Sequence, residues 1–348
     1  MTRGRSGKRR TPALPTAIIF RWDLDKTYLK SEFDSLRELV RIPFEKPEDK
    51  VAVPGVVPLI RNLRSVATDA GRSVRVYFMS ASPPQIAKAI KEKLALDGIE
   101  YDGITFKNQL GHLVRGKFRN LREHVGYKVT ELLKSRREMP VDSHEVLFGD
   151  DWESDPIIYS LYADILAGRV ESGALGDILK ALGVDPRLIS EAQALAAAII
   201  PQNVVERIYI NVERRTPPTS FRSFGARLVP SFNYFQTAAC LFEDGHLTLP
   251  AVAQITESLI TASAYTPERL ANSLADIVRR GHLQSPSAIA VREYLRARAL
   301  LPQRRRESIQ PPVWQRFIQW LRARPVPAPA HAETINYQTL VAEWRAAR

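Results

Sequence analysis

Short apolar runs alternate with amphipathic stretches through the first half of the chain. Four runs are rich in β-branched and aromatic residues and lack a helical period, as buried parallel strands do: 17–22, 73–80, 101–106 and 144–150. Three stretches between them place apolar residues at helical spacing: 53–71, 83–98 and 121–139, the last with a break near Gly126. A helix and a further short strand are predicted over 156–168. This alternation predicts an α/β fold, a Rossmann-like doubly wound parallel sheet.

The pattern becomes mainly helical beyond about residue 170. Helices are predicted over 249–264, 267–280 and 285–302, whereas 201–221 mixes an alternating segment with a Pro-Pro break. Residues 302–312 and 324–333 are rich in Arg and Pro, which is typical of linkers. The chain therefore divides into four predicted parts: a basic, disordered arm at 1–15, an α/β domain at 16–170, a mainly helical C-terminal region at 171–301, and an Arg/Pro-rich tail with a short helix at 302–348.

Bulk composition indicates a compartment and excludes some classes of protein. Of the 348 residues, 45% are hydrophobic and 25% are charged, as in a soluble globular protein. No apolar run approaches the roughly 20 residues that span a bilayer, and we identify no secretory signal. Cys240 is the single cysteine, which excludes an intramolecular disulfide framework and indicates a reducing compartment. We expect a cytoplasmic protein.

The net charge of +12 is concentrated near the two ends of the chain. Residues 1–10 carry five basic residues, and residues 292–324 carry nine arginines against two glutamates, which together account for the whole excess. Such basic arms either contact an anionic membrane surface or are solvated and solubilising. The sequence has no aromatic-interleaved basic motif and no zinc-finger spacing, so we do not expect nucleic acid as a partner.

Polar side chains cluster where the predicted strands end. The candidates are, in chain order, Asp23, Asp25 and Thr27 after the first strand, Ser80 and Ser82 after the second, Lys128 on the helix before the fourth, and the acidic stretch "GDDWESDP" (149–156) after it. Ligands of open α/β sheets bind at the carboxyl ends of the strands, near the point where strand order reverses. A Ca²⁺ loop of the EF-hand type is excluded, because Tyr28 stands where that loop needs Gly.

The order, spacing and placement of these residues resemble the haloacid dehalogenase superfamily of phosphohydrolases. Within it, "YFMSASP", "YKVTELL" and "LFGDDWESDPIIY" are most similar to the catalytic domain of the actin-patch-associated phosphatidate phosphatases. The resemblance covers about residues 15–170, which makes 16–170 a predicted haloacid dehalogenase-like phosphatase domain. The chain departs from many members at Lys26, where they carry a third acidic residue.

The resemblance implies a Mg²⁺-dependent phosphomonoester hydrolase that acts through an aspartyl-phosphate. Asp23 is the expected nucleophile, and Asp25 the general acid that protonates the leaving alkoxide and then activates water. Lys128 is expected to offset the charge between Asp23 and the phosphoryl group, because its apolar neighbours on the helix can hold it inward. Lys117 is the second lysine candidate.

Oxygen ligands for Mg²⁺ and for the phosphate come from the same set. We expect the metal to be held by Asp23, by the backbone carbonyl of Asp25 and by Asp150. Asp155, or else Asp151, is expected to order the metal's water ligands. The residues expected around the substrate phosphate are Thr27, Ser80 and Ser82.

The substrate class implied by the resemblance is phosphatidate or a related lipid phosphate. The same chemistry also suits a phosphoprotein, a nucleic-acid end or a small metabolite. A non-catalytic adaptor that binds an acidic partner is the alternative from another class. In the second half, Arg207, Arg214 and Arg215 either bind phosphate or face water, and "FNYFQTAACLF" is expected to be a core helix.

Overall fold

One parallel sheet organises the molecule. The computed structural model describes residues 17–30, 51–69, 71–80, 87–106, 117–152, 154–214, 216–262, 265–303 and 335–346. The strands are β1 (Ala17–Asp23), β2 (Ser73–Ser80), β3 (Gly103–Phe106), β4 (His144–Asp150), β5 (Val205–Asn211) and β6 (Leu228–Ser231). All neighbours are parallel, in the order β3-β2-β1-β4-β5-β6. This is the Rossmann order, with its switch point between β1 and β4, and it confirms the predicted fold class.

Helices connect the strands and fill the second half. They are α1 (Val56–Asp69), α2 (Ala87–Leu96), α3 (Lys117–Arg137), α4 (Asp155–Leu166), α5 (Ser172–Ala181), α6 (Pro186–Ala197), α7 (Tyr234–Glu243), α8 (Leu249–Thr261), α9 (Pro267–Arg279), α10 (Ser285–Ala297) and α11 (Tyr337–Ala346). A 3₁₀ segment covers Pro218–Phe224. Among the residues that the structure describes, no helix combines the length and the apolar character needed to cross a membrane.

Helices cover both faces of the sheet, as a doubly wound fold requires. Phe20, Trp22 and Phe148 belong to a core that includes buried side chains of α1, α2 and α7–α10. Leu147 and Ile208 point the other way, into a core that includes side chains of α3–α6 and α11. Successive strand residues therefore alternate between two apolar layers, which explains the nearly continuous hydrophobic runs in the sequence.

Two sequence-based expectations for the helices were wrong. Helix α3 runs without a break through Gly126, where an added Cβ atom would lie 2.4 Å from a methyl carbon of Val184. Gly126 therefore permits close packing against the segment before α6 and does not end a helix. The stretch 156–168 contains no strand, because its β-like apolar run is helix α4, which is buried on all sides.

The sheet extends beyond the first half of the chain. Strand β5 pairs with β4 from Glu145 to Asp150, and β6 pairs with β5. The predicted boundary at residue 170 therefore separates strands of a single sheet. The alternating segment within 201–221 contains β5, and "FNYFQTAACLF" is the buried helix α7, as expected.

Candidate active site

Polar residues meet at the carboxyl edge of the sheet, beside the switch point. They end five of the six strands: Asp23, Ser80, Asp150, Asn211 and Ser231. The register places Asp150 opposite Asn211, and Asn211 opposite Ser231. All five are buried, although polar groups leave water at a cost unless they find partners. The carboxyl edge of the sheet is therefore a candidate site.

Lys128 joins two carboxylates at the centre of this edge. Its Nζ lies 2.8 Å from Asp23 Oδ1 and 2.7 Å from Asp155 Oδ1. The side chains of Lys128 and Asp155 are 0% exposed and that of Asp23 is 1% exposed, so water hardly screens the three charges. Helix α3 holds the lysine there through the buried neighbours Val129 and Leu132. The ammonium favours the ionised form of Asp23.

Three buried carboxylates form a group of the kind that holds a divalent cation. Asp23, Asp150 and Asp155 each offer an oxygen atom, and these atoms lie within 4.8 Å of one another. We call these residues together with Lys128 the carboxylate cluster. Among the described residues of this cluster, three carboxylates lie around one ammonium, and carboxylates at this depth are stabilised by cationic partners. The donor set therefore fits Mg²⁺, which prefers oxygen ligands.

Gly149 makes the approach of Asp155 to β4 possible. An added Cβ atom at Gly149 would lie 2.5 Å from Asp155 Oδ2, closer than real contacts allow. The same oxygen accepts a hydrogen bond from the backbone N–H of Asp150 at 3.3 Å. Asp155 thus connects Lys128 to the end of β4, and its expected role in ordering the metal's water ligands stays a prediction.

Asp25, on the turn after β1, contacts Ser80 at the end of β2. Ser80 Oγ donates to Asp25 Oδ2 at 3.2 Å. Asp25 is half-buried, whereas Asp23 is buried, so the second carboxylate is the more accessible of the two. Lys26 follows with a φ of 59°, the left-handed region, which turns the chain back toward Leu29. Thr27 is buried on the same turn.

Two of the predicted candidates lie outside the described residues and side chains. Ser82 belongs to 81–86, which is outside the described residues, and the side chain of Lys117 is likewise outside them. Asp151, the alternative to Asp155, contacts the second half of the chain. Its carboxylate accepts backbone N–H groups of Arg214 at 2.9 Å and Thr216 at 3.3 Å.

A cationic rim borders the site. The ammonium of Lys26 lies 3.3 Å from the centre of the Trp152 ring, and the Arg214 guanidinium carbon lies 5.1 Å from it. Arg214 is exposed at this edge of the site. Arg207 lies elsewhere, paired with Asp244 at 3.0 Å. Arg215 is outside the described residues.

Sequence reasoning missed Asn211 and Tyr234, which reach the site from the second half. Asn211 Nδ2 donates to the carbonyl of Lys26 at 3.2 Å, and Tyr234 Oη donates to the carbonyl of Thr27 at 2.5 Å. Asn211 carries the signal that revealed Asp23 and Asp150, a polar residue that ends an apolar strand. Tyr234 carries none, because a tyrosine at the start of an apolar helix is usually part of a core.

Of three comparisons with known proteins, the one with family models is informative. Residues 22–173 match the family model of the phosphatidate phosphatase APP1 catalytic domain, which confirms the resemblance that the motifs predicted and points to a phosphatase. No curated protein matches the chain. One solved structure, described as "Structure of Pnkp1/Rnl/Hen1 complex", is 15% identical with a TM-score of 0.26, covering 41% of this chain and 41% of that chain. A likeness of that size carries no argument.

Proposed function

We propose that the chain is a Mg²⁺-dependent phosphomonoester hydrolase that acts on phosphatidate or a related lipid phosphate through an aspartyl-phosphate. The observation that carries the proposal is Lys128 seated between Asp23 and Asp155, within a group of three buried carboxylates at the switch point. The substrate class is supported by the family match over residues 22–173.

Asp23 is the proposed nucleophile. Its carboxylate attacks phosphorus, forms a new O–P bond and displaces the ester oxygen. Lys128 keeps the carboxylate ionised and balances the negative charge that builds up as the phosphoryl group is transferred. A buried carboxylate with a fixed ammonium partner is also held in one orientation, which in-line attack requires.

Asp25 is the proposed general acid and base. It protonates the leaving alkoxide, and it then removes a proton from the water that hydrolyses the aspartyl-phosphate. In this structure it accepts a hydrogen bond from Ser80, which holds the carboxylate close to the end of β2. Ser80 is also proposed to donate to the phosphoryl oxygens once the substrate is bound, together with Thr27 and Ser82.

Mg²⁺ is proposed to be held by Asp23, Asp150 and the backbone carbonyl of Asp25, with Asp155 beside them. When bound, the cation supplies positive charge to the phosphoryl oxygens. The fit rests on three buried carboxylates whose oxygen atoms lie within 4.8 Å of one another, which form an all-oxygen donor set.

The cationic rim suits an anionic ester that approaches from a surface. Lys26 and Arg214 bring two positive charges to the ring of Trp152, beside the turn that carries Asp25. The basic stretches 1–10 and 292–324 are proposed to contact an anionic membrane in the same way. We further propose a cytoplasmic location on the basis of the single, buried Cys240.

Phosphate release by the purified protein tests the function. The panel comprises phosphatidate in mixed micelles, an aryl phosphate and phosphopeptides, each with Mg²⁺ and with EDTA. We expect phosphatidate to be preferred, and all turnover to disappear in EDTA and in Asp23→Asn. Asp164→Asn is the matched control, because Asp164 is a buried aspartate on the same helix as Asp155 whose partners are Arg169, Arg227 and Tyr337. Turnover that survives Asp23→Asn contradicts the mechanism, and preference for phosphopeptides contradicts the substrate.

A further inference from the structure

We propose that Asn211 and Tyr234, which lie outside the family-matching residues 22–173, are positioning residues for Asp25. The inference rests on the proposed function, because it assigns them to the general acid of that reaction. They act on the backbone of the turn that carries Asp25, and neither is proposed to touch the substrate.

The turn after β1 is closed by its own backbone. Leu24 accepts the N–H groups of Tyr28 at 3.0 Å and Leu29 at 2.9 Å, and the N–H of Lys26 donates to the carbonyl of Leu29 at 2.8 Å. The carbonyls of Lys26 and Thr27 are not used in these bonds and receive side-chain donors from the second half of the chain. The peptide groups that join Lys26 to Thr27 and Thr27 to Tyr28 are therefore held by Asn211 and Tyr234.

Tyr234 is held in a position where its hydroxyl donates to the carbonyl of Thr27. It is 2% exposed and begins helix α7, and its ring lies 6.1 Å from that of Trp22. Its Cβ atom lies 3.3 Å from the place that a Cβ atom on Gly55 would occupy, so the tyrosine is confined on that side too. Burial and the charges of Glu213, Asp150 and Asp23 raise the pKa of Tyr234 well above its usual range. The hydroxyl therefore keeps its proton, and its donor role is fixed.

Asn211 ties the same turn to the sheet. It is the last residue of β5 and is paired in register with Asp150, so its backbone is as firmly placed as the metal-binding edge itself. Its side chain spans to the Lys26 carbonyl at 3.2 Å. Two donors from β5 and α7 thus hold the residues next to Asp25 relative to Asp23 and Asp150. Displacement of a catalytic group by about 1 Å can lower a rate roughly 100-fold.

The dependence of the rate on the leaving group tests this assignment. An alkoxide needs a proton to depart, whereas 4-nitrophenolate does not, so loss of the acid slows the first more than the second. We would measure kcat/KM, because it reports the steps up to departure of the leaving group and is insensitive to later hydrolysis of the aspartyl-phosphate. The substrates are phosphatidate in mixed micelles and 4-nitrophenyl phosphate.

Tyr234→Phe is expected to lower kcat/KM about 10- to 100-fold for phosphatidate and less than about threefold for 4-nitrophenyl phosphate. Asp25→Asn removes the proposed acid itself, so it should give the largest difference between the losses of kcat/KM for the two substrates. Tyr209→Phe is the matched control, since it removes another buried hydroxyl, one that donates to Asp244 at 3.1 Å, and its ratio between the two substrates should equal that of the wild type.

The inference would be overturned if Tyr234→Phe lowered kcat/KM equally for both substrates, or lowered it for neither. If Tyr234→Phe fails to fold, as judged by its thermal unfolding, Asn211→Ser removes the other donor and should shift the ratio in the same direction. Failure of the proposed function is a separate result, because the wild type would then turn over neither substrate, or would do so equally well with Asp23→Asn.

Discussion

Two buried ionic clusters lie on the same four elements, and their charge balance is opposite. In the carboxylate cluster, β1, β4, α3 and α4 supply Asp23, Asp150, Lys128 and Asp155. Further from the carboxyl edge, the same elements supply the members of what we call the Glu145 cluster: Arg21, Glu145, Arg136 and Tyr162. One cluster has three carboxylates for a single ammonium, and the other has two guanidinium groups for a single carboxylate.

The Glu145 cluster uses its donors within the protein. Glu145 accepts from Arg21 at 2.6 Å, Arg136 at 3.1 Å and Tyr162 at 3.0 Å. Arg136 also donates to the carbonyl of Ser143 at 2.9 Å. A charge that is paired and hydrogen-bonded in this way tolerates burial. The comparison teaches that Glu145 pairs with donors from the chain itself, whereas the carboxylate cluster gathers three carboxylates around one ammonium, the donor set to which we assign the proposed cation.

The largest expected effect is the loss of activity in Asp23→Asn. Removing a covalent nucleophile should lower kcat by about 10³-fold or more, while the fold is kept, because Lys128 retains Asp155 as its ionic partner. Steady-state kinetics and thermal unfolding of the same sample measure both quantities. A marked fall in the unfolding temperature would break the comparison, since it would make Asp23 as structural as Glu145.

Glu145→Gln should lower the stability of the fold, whereas Asp23→Asn should lower the activity. Glu145→Gln leaves Arg21 and Arg136 without their anion, and breaking such a buried pair costs about 3–5 kcal/mol. Urea unfolding measures the change in the free energy of unfolding. Glu191→Gln is the control, because Glu191 pairs with Lys134 at 2.9 Å with both side chains more than 40% exposed, and exposed pairs contribute at most about 1 kcal/mol.

Mg²⁺ should stabilise the folded protein through the carboxylate cluster alone. A ligand at 100 times its dissociation constant stabilises by about 2.7 kcal/mol, which raises the unfolding temperature by several degrees. Differential scanning fluorimetry with and without Mg²⁺ measures the shift. Asp150→Asn should abolish most of it and Asp164→Asn should leave it intact, whereas an equal response in both variants would place the cation elsewhere.

The smallest expected effect is a dependence of stability on acidic pH. Burial by itself raises the pKa of Glu145, but the charges and hydrogen bonds of Arg21, Arg136 and Tyr162 outweigh burial and hold the pKa below its ordinary value of 4.5. A lowered folded-state pKa stabilises above the unfolded value, so this contribution is present above about pH 4.5 and is lost as the pH falls below it. Urea unfolding between pH 5 and about pH 3 should show a steeper loss in the wild type than in Glu145→Gln. If the free energy of unfolding fell equally with pH in the wild type and in Glu145→Gln, this prediction would be contradicted.

Local sequence patterns predicted the elements that are locally specified. The runs 73–80 and 144–150 coincide with β2 and β4, because both are bounded by polar or turn residues and neither has helical spacing. Helix α4 was partly misassigned, because a helix buried on all sides loses the polar face that distinguishes it from a strand. The break predicted at Gly126 was wrong for a similar reason, because the glycine is explained by its close packing against Val184, which is not visible in the local sequence.

The site was predictable as far as its residues follow strands in the chain. Asp23, Asp150 and Ser80 do so, and the parallel sheet brings them to one edge. The contacts of Tyr234 with Thr27 and of Asn211 with Lys26 span about half of the chain, and no local pattern encodes them. They depend on the placement of β5 and α7, which follows from tertiary packing.

The pairing of β4 with β5 means that the family-matching stretch is not a portable module. Excision at residue 173 would bare the backbone donors and acceptors of β4 and uncover Phe148, whose ring stacks on that of Tyr209 at 5.4 Å. An uncovered apolar strand edge is a template for association with other chains. Any transplant, split reporter or minimal clone of this protein must therefore extend beyond residue 173 to include β5.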